Sequence, residues 1–122
     1  MVQRYVLDKL ADPTLRVYVV WGPMLEKETK EDVPAATAFL PDRRATHYWT
    51  PVHTLAEAFE KPLGLKGTRA WDTYLLYPRG QQWGGEPPVP AYVMHVGKPL
   101  PADHRLNGEK LEAETRKLVA AP

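Results

Sequence analysis

The side chains that could do chemistry in this chain are its histidines, tryptophans and carboxylates, because the sequence contains no cysteine and no serine. Without cysteine there can be no disulfide, no thiolate metal ligand, no cysteine nucleophile and no dithiol redox reaction. A Gly-x-Ser-x-Gly motif, a Walker loop and a Gly-x-Gly-x-x-Gly motif are also missing from the sequence. Three kinds of site remain: a metal site built from imidazoles, an acid–base pair, and a cleft lined by aromatic rings.

A metal site would use histidines together with methionine. Imidazole with thioether ligands suits copper, and three imidazoles suit zinc. No two histidines have a spacing that predicts a shared site, and each could equally be a surface or hydrogen-bonded residue. We keep a copper or zinc site as the alternative hypothesis, and its candidate ligands are His47, His53, His95 and Met24.

An acid–base site could pair Asp72 with a histidine, since a carboxylate can orient an imidazole for proton transfer. No motif in the sequence supports this pairing, and nothing implies a cofactor. The sequence therefore favours a protein that binds rather than catalyses.

A cleft lined by aromatic rings would use three of the four tryptophans, which lie at the ends of apolar runs. Indole rings supply large rigid contact areas, and a neighbouring arginine or aspartate can orient a polar group. The alternative is that these rings fill the core, each with its N–H bonded to a carbonyl. The candidate ligand-binding residues are Trp21, Pro23, Trp49, His53, Arg69, Trp71 and Asp72.

Apolar runs and turn residues indicate the elements that must position these side chains. Val17–Trp21 is a continuous β-branched and aromatic run, typical of a strand covered on both faces. Thr54 and Glu57 have the spacing of a capping box, and Asn107 can cap a final helix. The predicted strands are 17–21, 46–49, 72–77 and 92–96, and the predicted helices follow Thr29, Thr54 and Asn107.

The element order βαβαββα predicts an α/β fold in a single domain spanning 1–122. The first half is a βαβ unit with a parallel strand pair, and the second half is a hairpin with a covering helix. We expect a central mixed sheet of four or five strands with helices on both faces, and residues 1–15 form either a short helix or an extra strand. Open α/β sheets bind ligands beyond the carboxyl ends of their parallel strands, which is where the candidate ligand-binding residues would converge.

This order resembles the thioredoxin fold. Val19–Met24, which contains Trp-Gly-Pro-Met, is similar to the end of the first core strand of thioredoxins, where a Trp-Cys-Gly-Pro-Cys motif opens a helix. Leu55–Tyr77 is similar to the family's approach to its third core strand. Both cysteines and the cis-proline of the family are missing, so the resemblance implies a redox-inactive thioredoxin-like domain that binds a partner or small ligand at the strand ends. Ala70–Tyr77 also resembles a family of bacterial proteins of unknown activity.

The charge balance and hydropathy exclude some partners. Sixteen basic and fifteen acidic residues give a net charge of +1, so no basic surface argues for nucleic acid. Mixed-charge clusters such as Asp42–Arg44 are expected to be solvated. No apolar run reaches the roughly 20 residues of a membrane helix, and none has the length and position of a signal peptide. We expect a soluble, cytoplasmic protein with no membrane or nucleic-acid partner.

A proline-rich stretch, 81–91, separates the last two predicted strands. Pro87–Pro90 is typical of polyproline II, and Trp83 lies in a glycine- and proline-rich setting. This loop could dock a partner protein or a second copy of the chain in a homodimer. The favoured interpretation is that it folds back and packs Trp83 over a sheet edge.

Overall fold

The computed structural model describes residues 1–21, 38, 40–50, 54–65, 73–96 and 102–121. The chain divides into two units, Met1–His53 and Thr54–Pro122. The first unit contains a π-helix (Gln3–Leu7) and the strands β1 (Val17–Trp21) and β2 (Ala45–Trp49). The second contains α1 (Thr54–Ala58), β3 (Thr73–Leu76), β4 (Tyr92–His95), a 3-10 helix (Ala102–His104) and α2 (Gly108–Ala120).

The first unit is organised around a parallel pair of strands, as the βαβ order predicts. β1 and β2 pair in register, from Val17 opposite Ala45 to Trp21 opposite Trp49. Valine and aromatic residues favour extended backbone, because their side chains pack well on a pleated surface. Burial alternates along both strands, so one face of the pair is half-buried and the other is more exposed.

The exposed face shows that the prediction of a β1 covered on both sides is wrong. Tyr18 and Tyr48 stand on this face with 67% and 51% of their surface exposed. Their rings stack with centroids 6.5 Å apart, and Val20 is exposed on the same face. The continuous apolar run misleads because tyrosine counts as apolar in a hydropathy pattern, whereas its hydroxyl is readily hydrated.

The N-terminal segment forms the π-helix, so of the two alternatives that the sequence leaves open, the short helix is confirmed and the extra strand is wrong. Arg44, just before β2, binds the backbone at the end of this segment. Its guanidinium donates to the Leu7 carbonyl at 2.7 Å and to the carbonyls of Leu10 and Asp12. Carbonyls at and beyond the end of a helix lack intrahelical partners, and these bonds supply them. Among the residues of this unit that the structure describes, the buried apolar ones are Val6, Leu7, Leu10 and Leu40.

The second unit is built on the predicted antiparallel hairpin. β3 and β4 pair with Thr73 opposite His95 and Leu76 opposite Tyr92. The Ala91 N–H donates to the Leu76 carbonyl at 2.9 Å, which extends the ladder toward the connecting loop. In the described part of this unit the buried apolar residues are Phe59, Leu65, Met94 and Leu111, of which Met94 and Leu111 are almost completely buried.

The helix α2 confirms the prediction of a capped final helix. Asn107 has an extended backbone, and its side chain accepts a hydrogen bond of 3.0 Å from a backbone N–H of the first turn. Leu111 and Thr115 form the buried stripe, four residues apart as the helical repeat requires. Arg116 pairs with Glu112 at 2.9 Å on the other side.

The prediction of a central mixed sheet of four or five strands is wrong, although the mixture of helices and strands is confirmed. Within the described residues, β1 pairs with β2 and β3 pairs with β4, as two separate two-stranded sheets. One central sheet would require a strand of the first pair to hydrogen-bond with a strand of the second. Side-chain patterns identify the two faces of a strand, but they do not specify which partner its backbone edge will meet.

The predicted helix after Thr29 lies outside the described residues. Among the helices that are described, none combines the length and the apolar character that crossing a membrane requires.

Candidate functional site

Two of the predicted site residues, Trp21 and Trp49, end the two strands of the first unit side by side. They are register partners on neighbouring parallel strands, so their side chains project from the same face. Both residues are half-buried. The carboxyl end of parallel strands is the place where α/β sheets commonly hold ligands, and the structure puts both indoles there.

His47 fixes the orientation of the Trp21 indole. It stands on the half-buried face of β2, two residues before Trp49. The Trp21 Nε1–H donates to His47 Nδ1 at 3.0 Å, and the two rings are almost parallel, with an angle of 5° and centroids 6.1 Å apart. Rings at this separation with this hydrogen bond lie edge to edge in nearly one plane, and do not overlap face to face.

The second ring nitrogen of His47 is also occupied, because Nε2 lies 3.1 Å from the Leu40 carbonyl oxygen. An indole N–H can only donate and a carbonyl can only accept. Nδ1 therefore carries no proton and Nε2 carries one. The two bonds together require the neutral Nε2–H form of the imidazole.

This arrangement bears on the hypothesis of a metal site. His47 has no ring nitrogen left for a metal while both bonds are made. His95 is buried in β4, in the second unit. The described ranges hold no group of three His, Asp or Glu side chains that could bind a metal ion. His53 and Met24 lie outside those ranges, so the metal site stays a prediction.

The other predicted site residues also lie outside the described parts of the chain. The pairing of an aspartate with a histidine, and the grouping of three tryptophans, therefore stay predictions. The residues concerned are Pro23, His53, Arg69, Trp71 and Asp72.

Asp42 and Arg44 form an ion pair in the described part of the first unit. The expectation that this charge cluster is solvated is wrong for these two side chains, whereas Arg43 between them is exposed. Arg44 meets both carboxylate oxygens, Nε at 3.0 Å and Nη2 at 2.8 Å, and the two side chains are only 16% and 18% exposed. The hydrogen bond from the Arg44 side chain is the main reason why the pKa of Asp42 falls from 3.8 to about 2. The same bond raises the pKa of Arg44. The signal that could have revealed this pair is its position, between the buried Leu40 and the start of β2.

Arg44 also ties the N-terminal segment to the strand pair. Its side chain holds the carbonyls that follow the π-helix, and its own carbonyl accepts a bond of 2.9 Å from the Val17 N–H. That bond adds one rung to the β1–β2 ladder. The residue just before β2, the strand that carries His47 and Trp49, is therefore held in place by both β1 and the N-terminal segment.

In the second unit, polar contacts hold the start of α2 against the hairpin. His104 donates from Nδ1 to the Val93 carbonyl at 2.8 Å, and its ring lies 5.3 Å from that of Tyr92. Lys110 donates from Nζ to the Asp103 carbonyl at 2.6 Å, and lies over the Tyr92 ring. Hydrogen bonding to Tyr92 is the main reason why the pKa of Lys110 is raised. These side chains have structural partners and form a packed cluster.

The proline-rich loop folds back, and its Trp83 packs near the end of α1. Trp83 meets the Phe59 ring edge-on, with centroids 5.3 Å apart and planes 80° apart. The Tyr77 hydroxyl donates to the Pro88 carbonyl at 2.9 Å, and burial raises the pKa of this hydroxyl. Trp83 remains 52% exposed, so it is a solvent-facing tryptophan of the second unit.

No family model, curated protein or solved structure matches this chain. The resemblance to thioredoxins therefore stays a prediction from the sequence, and the function has to be argued from the geometry at the ends of β1 and β2.

Proposed function

We propose that this chain is a binding domain without redox chemistry, which holds an apolar or aromatic side chain of a partner protein against Trp21 and Trp49. The observation that carries the proposal is the pairing of these residues at the last position of β1 and of β2. Two neighbouring indoles offer a broad rigid surface, and tryptophan is enriched among the residues that dominate binding energy at interfaces. The proposal keeps the expectation that the protein acts in the cytoplasm.

The Trp21 ring is ordered before a ligand arrives. Its bond to His47 fixes the plane of the indole. The imidazole of His47 is itself held by its bond to the Leu40 carbonyl. Ordering a flexible side chain during binding costs about 0.5 to 1.5 kcal/mol. A ring that is already held avoids most of this cost, which supports a role in binding.

The chemistry of the strand pair supports an uncharged occupant. β1 and β2 contain no Asp, Glu, Lys or Arg. Asp42 and Arg44, which precede β2, neutralise each other. A charged group placed against this face would lose water without gaining a counter-ion from the two strands, whereas an apolar or aromatic side chain carries no such cost.

The same site favours binding over catalysis. General acid–base catalysis needs a group that can exchange a proton with the substrate, and both nitrogens of His47 are engaged by protein partners. Nucleophilic catalysis by cysteine or serine has no side chain to use in this sequence.

The test is an NMR titration with N-acetyl-phenylalaninamide, an uncharged stand-in for an aromatic residue of a partner. We expect the indole N–H signals of Trp21 and Trp49 to shift together on titration. We expect Trp49→Ala to weaken binding about tenfold. Trp83→Ala is the matched control, because Trp83 is an exposed tryptophan of the second unit. Equal weakening by both substitutions would overturn the proposal, and so would a titration that leaves the Trp21 and Trp49 signals unmoved.

A further inference from the structure

We propose that the outer edge of β1, the edge turned away from β2, pairs antiparallel with the same edge of a second copy of this chain. The two strand pairs would then form one four-stranded sheet across the dimer. The proposal goes beyond the proposed function, because it concerns the backbone edge of β1 and does not depend on a ligand at the indoles. Three features of β1 carry it: an open edge, an exposed apolar surface along that edge, and a sequence that complements itself.

The outer edge of β1 is open in the part of the chain that the structure describes. The Val17 N–H donates to the Arg44 carbonyl, and the Trp21 carbonyl accepts from the N–H that follows β2, so both residues bond toward β2. Alternate residues of a strand bond to the same neighbour, so Tyr18 and Val20 turn their N–H and C=O groups the other way. Among the described strands, β1 has β2 as its only neighbour.

The open edge lies beside an exposed apolar surface. Val20 is 43% exposed and Tyr18 more so, and the Tyr48 ring stacks on the Tyr18 ring. Proteins commonly protect such an edge with lysine, proline or a bulge, and β1 contains none of these. The edge of β2 presents His47 and Trp49, which are half-buried. β1 therefore offers the more accessible edge for a further strand.

The sequence of β1, Val-Tyr-Val-Val-Trp, indicates that this further strand is β1 of a second copy. When two copies pair antiparallel about Val19, Tyr18 lies opposite Val20 of the second copy, and Trp21 lies opposite its Val17. Aromatic and β-branched side chains form favourable cross-strand pairs, and β1 has no charged residue that would repel its own copy. A two-fold axis through Val19 repeats each contact, as a closed dimer requires.

The backbone hydrogen bonds fit the same register. Tyr18 and Val20 are the residues of β1 whose polar groups face outward, so they form a hydrogen-bonded pair on each side of the axis. Val19, whose groups bond toward β2, faces Val19 of the second copy as a non-hydrogen-bonded pair, with Cα atoms about 4.5 Å apart. The outward N–H and C=O groups of Tyr18 and Val20 are then all bonded.

Sedimentation equilibrium over about 10 μM to 1 mM measures the association. Because one short strand from each copy makes a small interface, we expect a dissociation constant of about 0.1 mM. Amide exchange locates the interface, since the Tyr18 and Val20 amide protons should become protected at high concentration, whereas the Val19 proton already bonds to β2 and should change much less. A chain that stays monomeric over this range would overturn the proposal, and so would a dimer that leaves the Tyr18 and Val20 amides unprotected.

Val20→Pro tests the backbone contact. It removes an outward N–H and spares the β1–β2 ladder, because proline is tolerated on an edge where the N–H faces solvent. It should weaken association about tenfold or more, since one bond is lost on each side of the axis. Val20→Thr is the matched control, because it keeps both the shape and the N–H, and it should associate as the wild type does. Equal association of Val20→Pro and Val20→Thr would contradict the proposal.

Two double variants test the register through side chains alone, so they do not depend on how β1 accepts proline. Tyr18→Lys with Val20→Lys places like charges opposite each other across the interface, and should prevent association at low ionic strength. Tyr18→Lys with Val20→Glu places opposite charges there, and should associate at least about tenfold more tightly than the first variant. Both variants change the same two exposed positions. Equal behaviour of the two would rule out the antiparallel pairing about Val19.

Discussion

Replacing Arg44 by methionine should destabilise the first unit far more than the same change at its exposed neighbour. Methionine preserves much of the side-chain length and removes the guanidinium, which donates to the carbonyls of Leu7, Leu10 and Asp12. The Arg44 side chain is only 16% exposed, so water cannot fully replace these donors.

The magnitude is worked from the three carbonyl hydrogen bonds, which share a charged donor, and the loss of the two bonds from Arg44 to Asp42 adds to it. A bond of this kind contributes about 1.5 to 3 kcal/mol to stability. Contributions within one cluster are not additive, and the bond to Asp12 is long at 3.1 Å. We therefore expect a loss of about 3 kcal/mol from the three bonds together. If stability falls by about 2 kcal/mol per molar urea, the midpoint of unfolding moves down by about 1.5 M.

Urea unfolding, followed through the amide NMR signals of β1 and β2, measures this shift for the first unit. Arg43→Met is the matched control, because Arg43 is adjacent and exposed, and it should move the midpoint by less than about 0.3 M. Arg44→Lys keeps the charge but loses the planar fork, so it should fall between the other two. Equal midpoints for Arg44→Met and Arg43→Met would refute the reasoning, because the carbonyl contacts would then contribute nothing.

Acid should remove the stability that the Asp42 carboxylate adds. Its pKa is about 2 in the folded protein against an ordinary value of 3.8, so this contribution is complete above the ordinary value and is lost as the pH falls through the lower one. Acid unfolding of Asp42→Asn should lack this component, and an unchanged acid profile would contradict the assignment. Asn107→Ala should cost about 1 kcal/mol and speed amide exchange in the first turn of α2, whereas Asn107→Asp, which still caps, should not. Tyr77→Phe should cost about 1 kcal/mol and expose the loop to proteases, because the hydroxyl holds the Pro88 carbonyl. Tyr48→Phe, on an exposed ring, should leave the loop as resistant as before. In an absorbance titration Tyr77 should ionise at a higher pH than an ordinary tyrosine, because burial raises its pKa.

Local elements were predictable because their signals are local. The run Val17–Trp21 predicts β1 with the bounds that the structure has, since the turn residues after it and the branched side chains within it act over a few positions. Asn107 predicts the start of α2 for the same reason, because a cap needs only the backbone N–H groups of the next turn. The parallel and antiparallel pairings also agree with prediction, since each joins strands that are consecutive in sequence.

Long-range contacts were not predictable from patterns. The sequence predicts His47 only as a candidate metal ligand, whereas its bond to Trp21 depends on the register that aligns β1 with β2. The sequence predicts Arg44 to be a solvated charge, because nothing local indicates that the N-terminal helix ends beside it. In both cases the residue type indicates which groups a side chain can bind, whereas its actual partner depends on the fold.

The two strand pairs differ in the length of the loop that must close before their partners can pair. Partners in the parallel pair, such as Val17 and Ala45, are 28 positions apart, whereas Leu76 and Tyr92 of the hairpin are 16 positions apart. The longer closure costs about 0.5 kcal/mol more entropy, and distant contacts slow folding. During refolding the hairpin should therefore form first. The surface made by the two adjoining indoles should then mature late in refolding, so the hairpin would be in place before the chain could recognise a partner.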